Sequence, residues 1–155
     1  MRKVTVLCVG RLKEPFYEAA AAEYVKRLGR FCKLEIVELA EQRLPENPSP
    51  AEVARGLAKE AEAIRAKLPP AATVVALCVE GRMKSSEELA QLLEGSEQLA
   101  CIIGGSFGLD PSIKAAAQLR LSMSPMTFPH HLARVMLLEQ IYRGFQINGG
   151  GKYHK

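Results

Sequence analysis

Leu99-Ala100-Cys101-Ile102-Ile103 runs without a break into Gly104-Gly105-Ser106-Phe107-Gly108. The apolar run reads as a short strand and the glycines as the loop that ends it. Working backwards, Thr73 to Val79 is apolar throughout with three valines, the pattern of a strand buried on both faces of a parallel sheet. Between the two, Ser85-Ser86-Glu87-Glu88 has the serine and acid spacing that caps a short helix, reaching roughly Glu94. Working forwards, Asp110-Pro111 opens a helix, Leu119 to Met123 offers a last short strand, and Pro129 begins the longest helix, to about Ile147.

The front of the chain repeats the alternation. Val4 to Val9 is apolar but short and lacks a small-residue cleavage site, so it reads as a first strand and the chain as cytosolic. Phe16, Ala19, Ala20, Tyr24 and Leu28 recur at helical spacing up to about Arg30. Leu34 to Leu39 is β-branched enough for a strand, and Pro45, Pro48 and Pro50 impose a loop. Ser49-Pro50-Ala51-Glu52 caps a helix that Pro69-Pro70 stops. Strands alternating with helices predict an α/β domain with a mostly parallel sheet and helices on both faces.

The 155 residues, 48% hydrophobic and 25% charged, suit one domain with a real core. No stretch approaches the ~18 to 20 apolar residues of a membrane span. Cys8, Cys32, Cys78 and Cys101 form no close pair, so buried free thiols are expected rather than a zinc site or redox motif. The net charge of +4 is unevenly placed. Residues 1–109 carry 15 basic and 15 acidic side chains, and 110–155 carry 6 basic and 2 acidic. That bias favours a polyanionic partner, although +4 is also common among proteins that bind none.

Ligands in an open parallel sheet sit beyond the carboxyl ends of the strands, which directs attention to three features. Gly104 to Gly108 lets backbone approach a ligand, or is simply a tight turn. It is neither the dinucleotide fingerprint nor a Walker loop. Ser122 to Pro129 is held extended by Pro125 and Pro129, and Met123, Met126 and Phe128 wall an apolar pocket or pack into the core. On the last helix Glu139, Arg143 and Gln146 share one side, whereas Arg134 lies on the apolar side with Leu138, Ile141 and Phe145. A lone arginine there is paired, snorkels, or faces a site for an anion. The apolar circumference of this helix exceeds what one sheet face covers, and a homodimer interface would absorb the remainder.

His130 and His131 are adjacent and point about 100° apart on a helix, so no metal site is expected. Tyr153-His154 stands on the hinge Gly149-Gly150-Gly151. Such a tail is usually disordered, yet its aromatic, imidazole and ammonium groups suit stacking on a base and contacting phosphate.

Together these residues resemble the RlmH family of ribosomal RNA methyltransferases, within the SPOUT class of S-adenosylmethionine-dependent enzymes. The similarity covers the whole chain. It is carried by Ile103 to Gly108, Leu121 to His130, Arg134, Glu139-Gln140-Ile141-Tyr142-Arg143 and terminal Tyr153-His154-Lys155. The resemblance implies a single SPOUT domain over 1–155 with a deep trefoil knot, its knot and donor-binding loops at about 73–147 and its tail at 148–155. It further implies a homodimer, with the methyl donor held by Leu77, Gly104, Gly105, Met123, Ser124, Pro125, Met126, Thr127 and Phe128, and no metal. The implied reaction is methylation at N3 of a pseudouridine in 23S ribosomal RNA on the assembled ribosome. His154 would serve as general base, since an imidazole titrates near neutral pH. Arg134 would approach the RNA or the donor, and Tyr142 and Tyr153 would hold the target base. The family tail generally has a proline before its tyrosine, where this chain has Lys152. Arg2, Lys3, Arg11, Lys13, Lys26, Arg27, Arg30 and Lys33 face RNA or are simply solvated. A related SPOUT enzyme acting on transfer RNA, and a non-catalytic ribosome-binding protein of the same fold, are the alternative readings.

Overall fold

Val4, Val6 and Cys8 point to one side of the first strand, β1 (Arg2–Val9), and Leu7 and Val9 to the other, and all five are buried. A strand buried on both sides belongs in the middle of a covered sheet. In the computed structural model, which describes residues 1–155, β1 indeed has a neighbour on each edge. The chain continues through α1 (Pro15–Leu28), β2 (Cys32–Leu39), α2 (Pro50–Lys67), β3 (Thr73–Met83), α3 (Ser86–Glu94), β4 (Gln98–Ile103), α4 (Pro111–Ala116), β5 (Leu119–Ser122) and α5 (His130–Asn148). The five strands pair in the order β2-β1-β4-β3-β5, every pair parallel.

The two sheet faces carry separate cores. Leu99, Cys101 and Ile103 of β4 join Val4, Val6 and Cys8 beneath Leu28 of α1, Leu93 of α3 and Leu137, Leu138 and Ile141 of α5. Ala100 and Ile102 meet Ala61 and Ile64 of α2 and Ile113 of α4 on the other face. Burying a residue of this size stabilises the fold by roughly 1.5–3 kcal/mol, so the alternation along β1 and β4 fixes which helices lie on which side. The serine caps work as the sequence predicts. Ser49 and Ser85 each accept the amide of the residue three further on, Glu52 and Glu88, whose side chains reciprocate.

Three expectations need correction. The strand predicted over 73–79 runs on to Met83, because Gly81 lies against the Arg120 backbone: a Cβ there would stand 2.6 Å from its carbonyl oxygen. The pairing with β5 slips between Leu77 and Arg82 to accommodate this. Nor is β3 buried along its length, since only Val75 and Ala76 are, and Val79 is exposed. On α1, Phe16 of the expected apolar face is exposed, while Ala21 and Leu28 are buried. Three cysteines are buried free thiols as expected, and Cys78 is half-buried. Desolvation pushes the Cys101 thiol up to about 12 and those of Cys8 and Cys32 up to about 11, so all three stay protonated.

Candidate functional site

Because the sheet is parallel, the loops after β3, β4 and β5 open on the same edge, and between them lies a cavity of about 600 Å³. Leu77, Gly104, Gly105, Met123, Ser124, Met126, Thr127 and Phe128 all line it. Pro125 does not; it sits at the exposed tip of the same loop. The geometry also supplies residues that the sequence reading did not single out for this cavity, namely Glu80, Lys114 and His130. They come from α4, the polar end of β3 and the first turn of α5, and nothing local in the sequence links them.

The glycine loop is tight because of its backbone. The Gly108 amide donates to the Gly105 carbonyl at 3.1 Å, and Gly108 holds φ at +82°, a conformation that L side chains rarely adopt. A Cβ on Gly104 would collide with the Gly108 carbonyl. In the loop after β5, the Ser122 hydroxyl donates to the Ser124 carbonyl and the Ser124 hydroxyl accepts the Met126 amide, each at 3.0 Å. The Thr127 and Phe128 amides donate to no group of the chain, which leaves them for a ligand.

The cavity is electrically quiet. Glu80 accepts from Lys114 at 2.7 Å, and that hydrogen bond holds its carboxyl below the usual range. Burial, with His131 and Arg134 nearby, pushes His130 down, so it is neutral at pH 7. Walls of methionine, leucine and phenylalanine with free amides suit a small, partly apolar ligand that accepts hydrogen bonds. No group of three or more His, Cys, Asp or Glu residues converges to hold a metal ion.

The tail forms a second cluster. Arg143 bridges to Glu139 at 2.6 Å, its guanidinium lies 4.7 Å from the centre of the Tyr153 ring, and the Tyr153 ring meets Tyr142 edge-on at 4.8 Å. The Tyr153 hydroxyl donates to Glu139 at 3.2 Å, and burial, with Tyr24 and Glu139 beside it, pushes that phenol up to about 12. His154 is held from both sides: Nδ1 stands 3.0 Å from Arg143 and Nε2 stands 2.6 Å from Glu87 on α3. Arginine can only donate, so Nδ1 is the acceptor and the proton sits on Nε2, donated to the Glu87 carboxylate. None of Tyr142, Arg143, Tyr153 or His154 lines the cavity.

Arg134 belongs to neither cluster. It is 4% exposed, donates to Glu38 at 2.7 Å and to the Gly10 carbonyl at 3.1 Å, and so ties α5 to the ends of β2 and β1. Of the three readings open to a lone arginine on that face, the structure realises the paired one. Only Asn148, its last residue, is exposed on α5, because the sheet, α1, α3 and the tail share its circumference.

A parallel sheet with its cavity at the strand ends is the arrangement in which open α/β proteins bind their ligands. A family model described as "Predicted SPOUT methyltransferase" matches residues 2–154, and the chain belongs to that family. Its relatives include proteins named ribosomal RNA large subunit methyltransferase H. That of Bifidobacterium adolescentis is 49% identical over 158 aligned residues, covering 99% of both chains. Those of Clostridium novyi and Streptococcus equi subsp. zooepidemicus are 47% and 45% identical, covering 98% and 99% of this chain and 99% of each relative. No helix is long and apolar enough to cross a membrane.

Proposed function

We propose that this chain uses S-adenosylmethionine to methylate N3 of a pseudouridine in 23S ribosomal RNA, on the assembled ribosome. The observation that carries the reading is the cavity beyond β3, β4 and β5, in a chain whose relatives are named for ribosomal RNA large subunit methylation. In the same reading the chain acts as a homodimer, and the trefoil knot gathers the loops around the cavity.

The donor, when bound, supplies a methyl group activated by its sulfonium, which departs as a neutral thioether. The Thr127 and Phe128 amides and the glycine loop hold it, and Leu77, Met123 and Met126 exclude water from its apolar parts. His154 takes the N3 proton of the base as the new N–C bond forms. It must first leave Glu87 and Arg143, since its Nδ1 and Nε2 are both engaged. The hinge at Gly149 to Gly151, with Gly150 at φ +69°, permits that swing. Tyr142 and Tyr153 offer the base an aromatic platform. Arg11 and Lys13, exposed in the loop after β1, lie on the strand-end edge where ribosomal phosphate would approach.

The test is transfer of labelled methyl from S-adenosylmethionine to assembled ribosomes lacking the modification, with separated large subunits and naked RNA in parallel. Label on a large-subunit pseudouridine, chiefly in assembled ribosomes, is the expected result. Label on none of the three substrates overturns the proposal.

A further inference from the structure

Glu41 lies outside every motif singled out from the sequence and does not line the cavity, yet from the loop after β2 it reaches two other loops on that edge, one at Gly10 and one at Gly105 and Ser106. Strand order explains how. Glu41 follows β2, Gly10 follows β1 and Gly104 to Gly108 follow β4, and the order β2-β1-β4 sets these loops side by side. Glu41 Oε2 accepts the Ser106 amide at 2.8 Å. That is the sole hydrogen bond tying Ser106 and Phe107 to another part of the chain, since the turn bond from Gly108 to Gly105 stays within the loop. A Cβ on Gly105 would stand 2.7 Å from Oε2 and 2.9 Å from the carboxyl carbon, so the carboxylate presses directly on the glycine backbone. Oε1 lies towards β1, 3.7 Å from where a Cβ on Gly10 would stand, a point that His130 Nε2 approaches within 3.6 Å.

Glu41 is itself held from behind. Buried Glu60 of α2 accepts the amide of the next residue, Gln42, at 2.8 Å. A run of contacts therefore leads from α2 through Gln42 and Glu41 to the tip of the glycine loop. A hydrogen bond to a charged acceptor is roughly twice as strong as a neutral one, which suits a single anchor on an otherwise exposed tip.

We propose that Glu41 is a positioning residue for the methyl donor: its carboxylate clamps Gly105 and Ser106 into the shape that forms the cavity wall. The inference rests on the donor reading of that cavity, and its test separates the two. In full-length protein, amide hydrogen exchange at Ser106 is measured without donor, and the Kd for S-adenosylmethionine is measured by calorimetry. Glu41→Ala speeds Ser106 exchange at least about tenfold, weakens the donor about tenfold and raises its KM in step, with kcat at saturating donor within about twofold. Glu41→Gln keeps an acceptor and restores both readouts to within about threefold of wild type. Glu41→Ser provides the same loss should Glu41→Ala prove unstable. Unchanged Ser106 exchange, or faster exchange with wild-type donor affinity, overturns the proposal. A wild-type protein that does not bind the donor overturns the donor reading instead, and Ser106 exchange still decides whether Glu41 holds the loop.

Discussion

The cavity at the strand ends and the cluster under the tail differ in what they are made of. The cavity is shaped by backbone: glycines packed against carbonyls, two free amides and a proline-braced loop, with its one close charge pair, Glu80 and Lys114, internally satisfied. The tail cluster is shaped by charge, through Glu139, Arg143, Glu87 and His154 in a continuous run of contacts. A backbone site binds without titrating and tolerates no added atoms, whereas a charged cluster tolerates volume changes and fails when one group is removed. On the proposed reading, the first region binds the donor and the second handles the proton.

The sharpest way to break that division is His154→Ala. Methyl transfer is expected to fall about 10²-fold or more, with the donor Kd within about twofold. Equal losses in both would merge the two regions into one site. Next comes Arg134→Ala, which strands Glu38 at the end of β2. Arg134 is buried but Glu38 is exposed, so losing this half-solvated pair and the bond to Gly10 costs about 2 kcal/mol, read as a lower midpoint in denaturant without donor or RNA present. Wild-type stability with lost RNA affinity would instead make Arg134 a substrate contact.

Gly104→Ala sharpens the comparison from the other side. The added methyl group meets the Gly108 carbonyl, and overpacking by one carbon costs about 2 kcal/mol, or about 30-fold in donor Kd. The tail contacts should survive, with the Tyr153 phenol still titrating near its raised value of about 12. Phenol absorbance against pH, with Tyr153→Phe as the control that isolates this one of the four tyrosines, reads this.

The smallest effect concerns the support behind the cavity. Burial raises the Glu60 carboxyl above the ordinary range, with the Gln42 amide opposing that shift and Glu41 adding to it. A raised folded-state pKa means that stability is full below the unfolded pKa and falls as pH rises through the folded one. Glu60→Gln keeps an acceptor for the Gln42 amide without the charge. It should therefore gain about 1 kcal/mol or less over wild type at pH 7, and the gain should vanish near pH 4.

The same contrast explains what could be read from the sequence. Strand-then-glycine at Ile103-Gly104 and proline bracketing at 125 and 129 are local signals, and the parallel sheet converts them into a place. Hence the strand-end loops that line the cavity are legible as positions from local sequence alone. The tail cluster was legible only as far as one helix could show it: Glu139 and Arg143 share a side, as their spacing requires. Their partners were not, because Glu87 and His154 lie 67 residues apart, Arg134 and Glu38 96 apart, and Glu41 and Ser106 65 apart. Charge pairs at such separations leave no periodicity. The extension of β3 was hidden for another reason: Glu80-Gly81-Arg82 is polar and holds its pairing through a glycine contact rather than an apolar pattern.

The most direct measurement is amide chemical-shift mapping of the full chain as S-adenosylmethionine is added. The account predicts saturable changes at residues 77–80, 104–108 and 123–130, the free amides of Thr127 and Phe128 among the largest, with residues 152–155 little affected. Changes centred on the tail and the 139–143 face of α5, with the three strand-end loops silent, would contradict it.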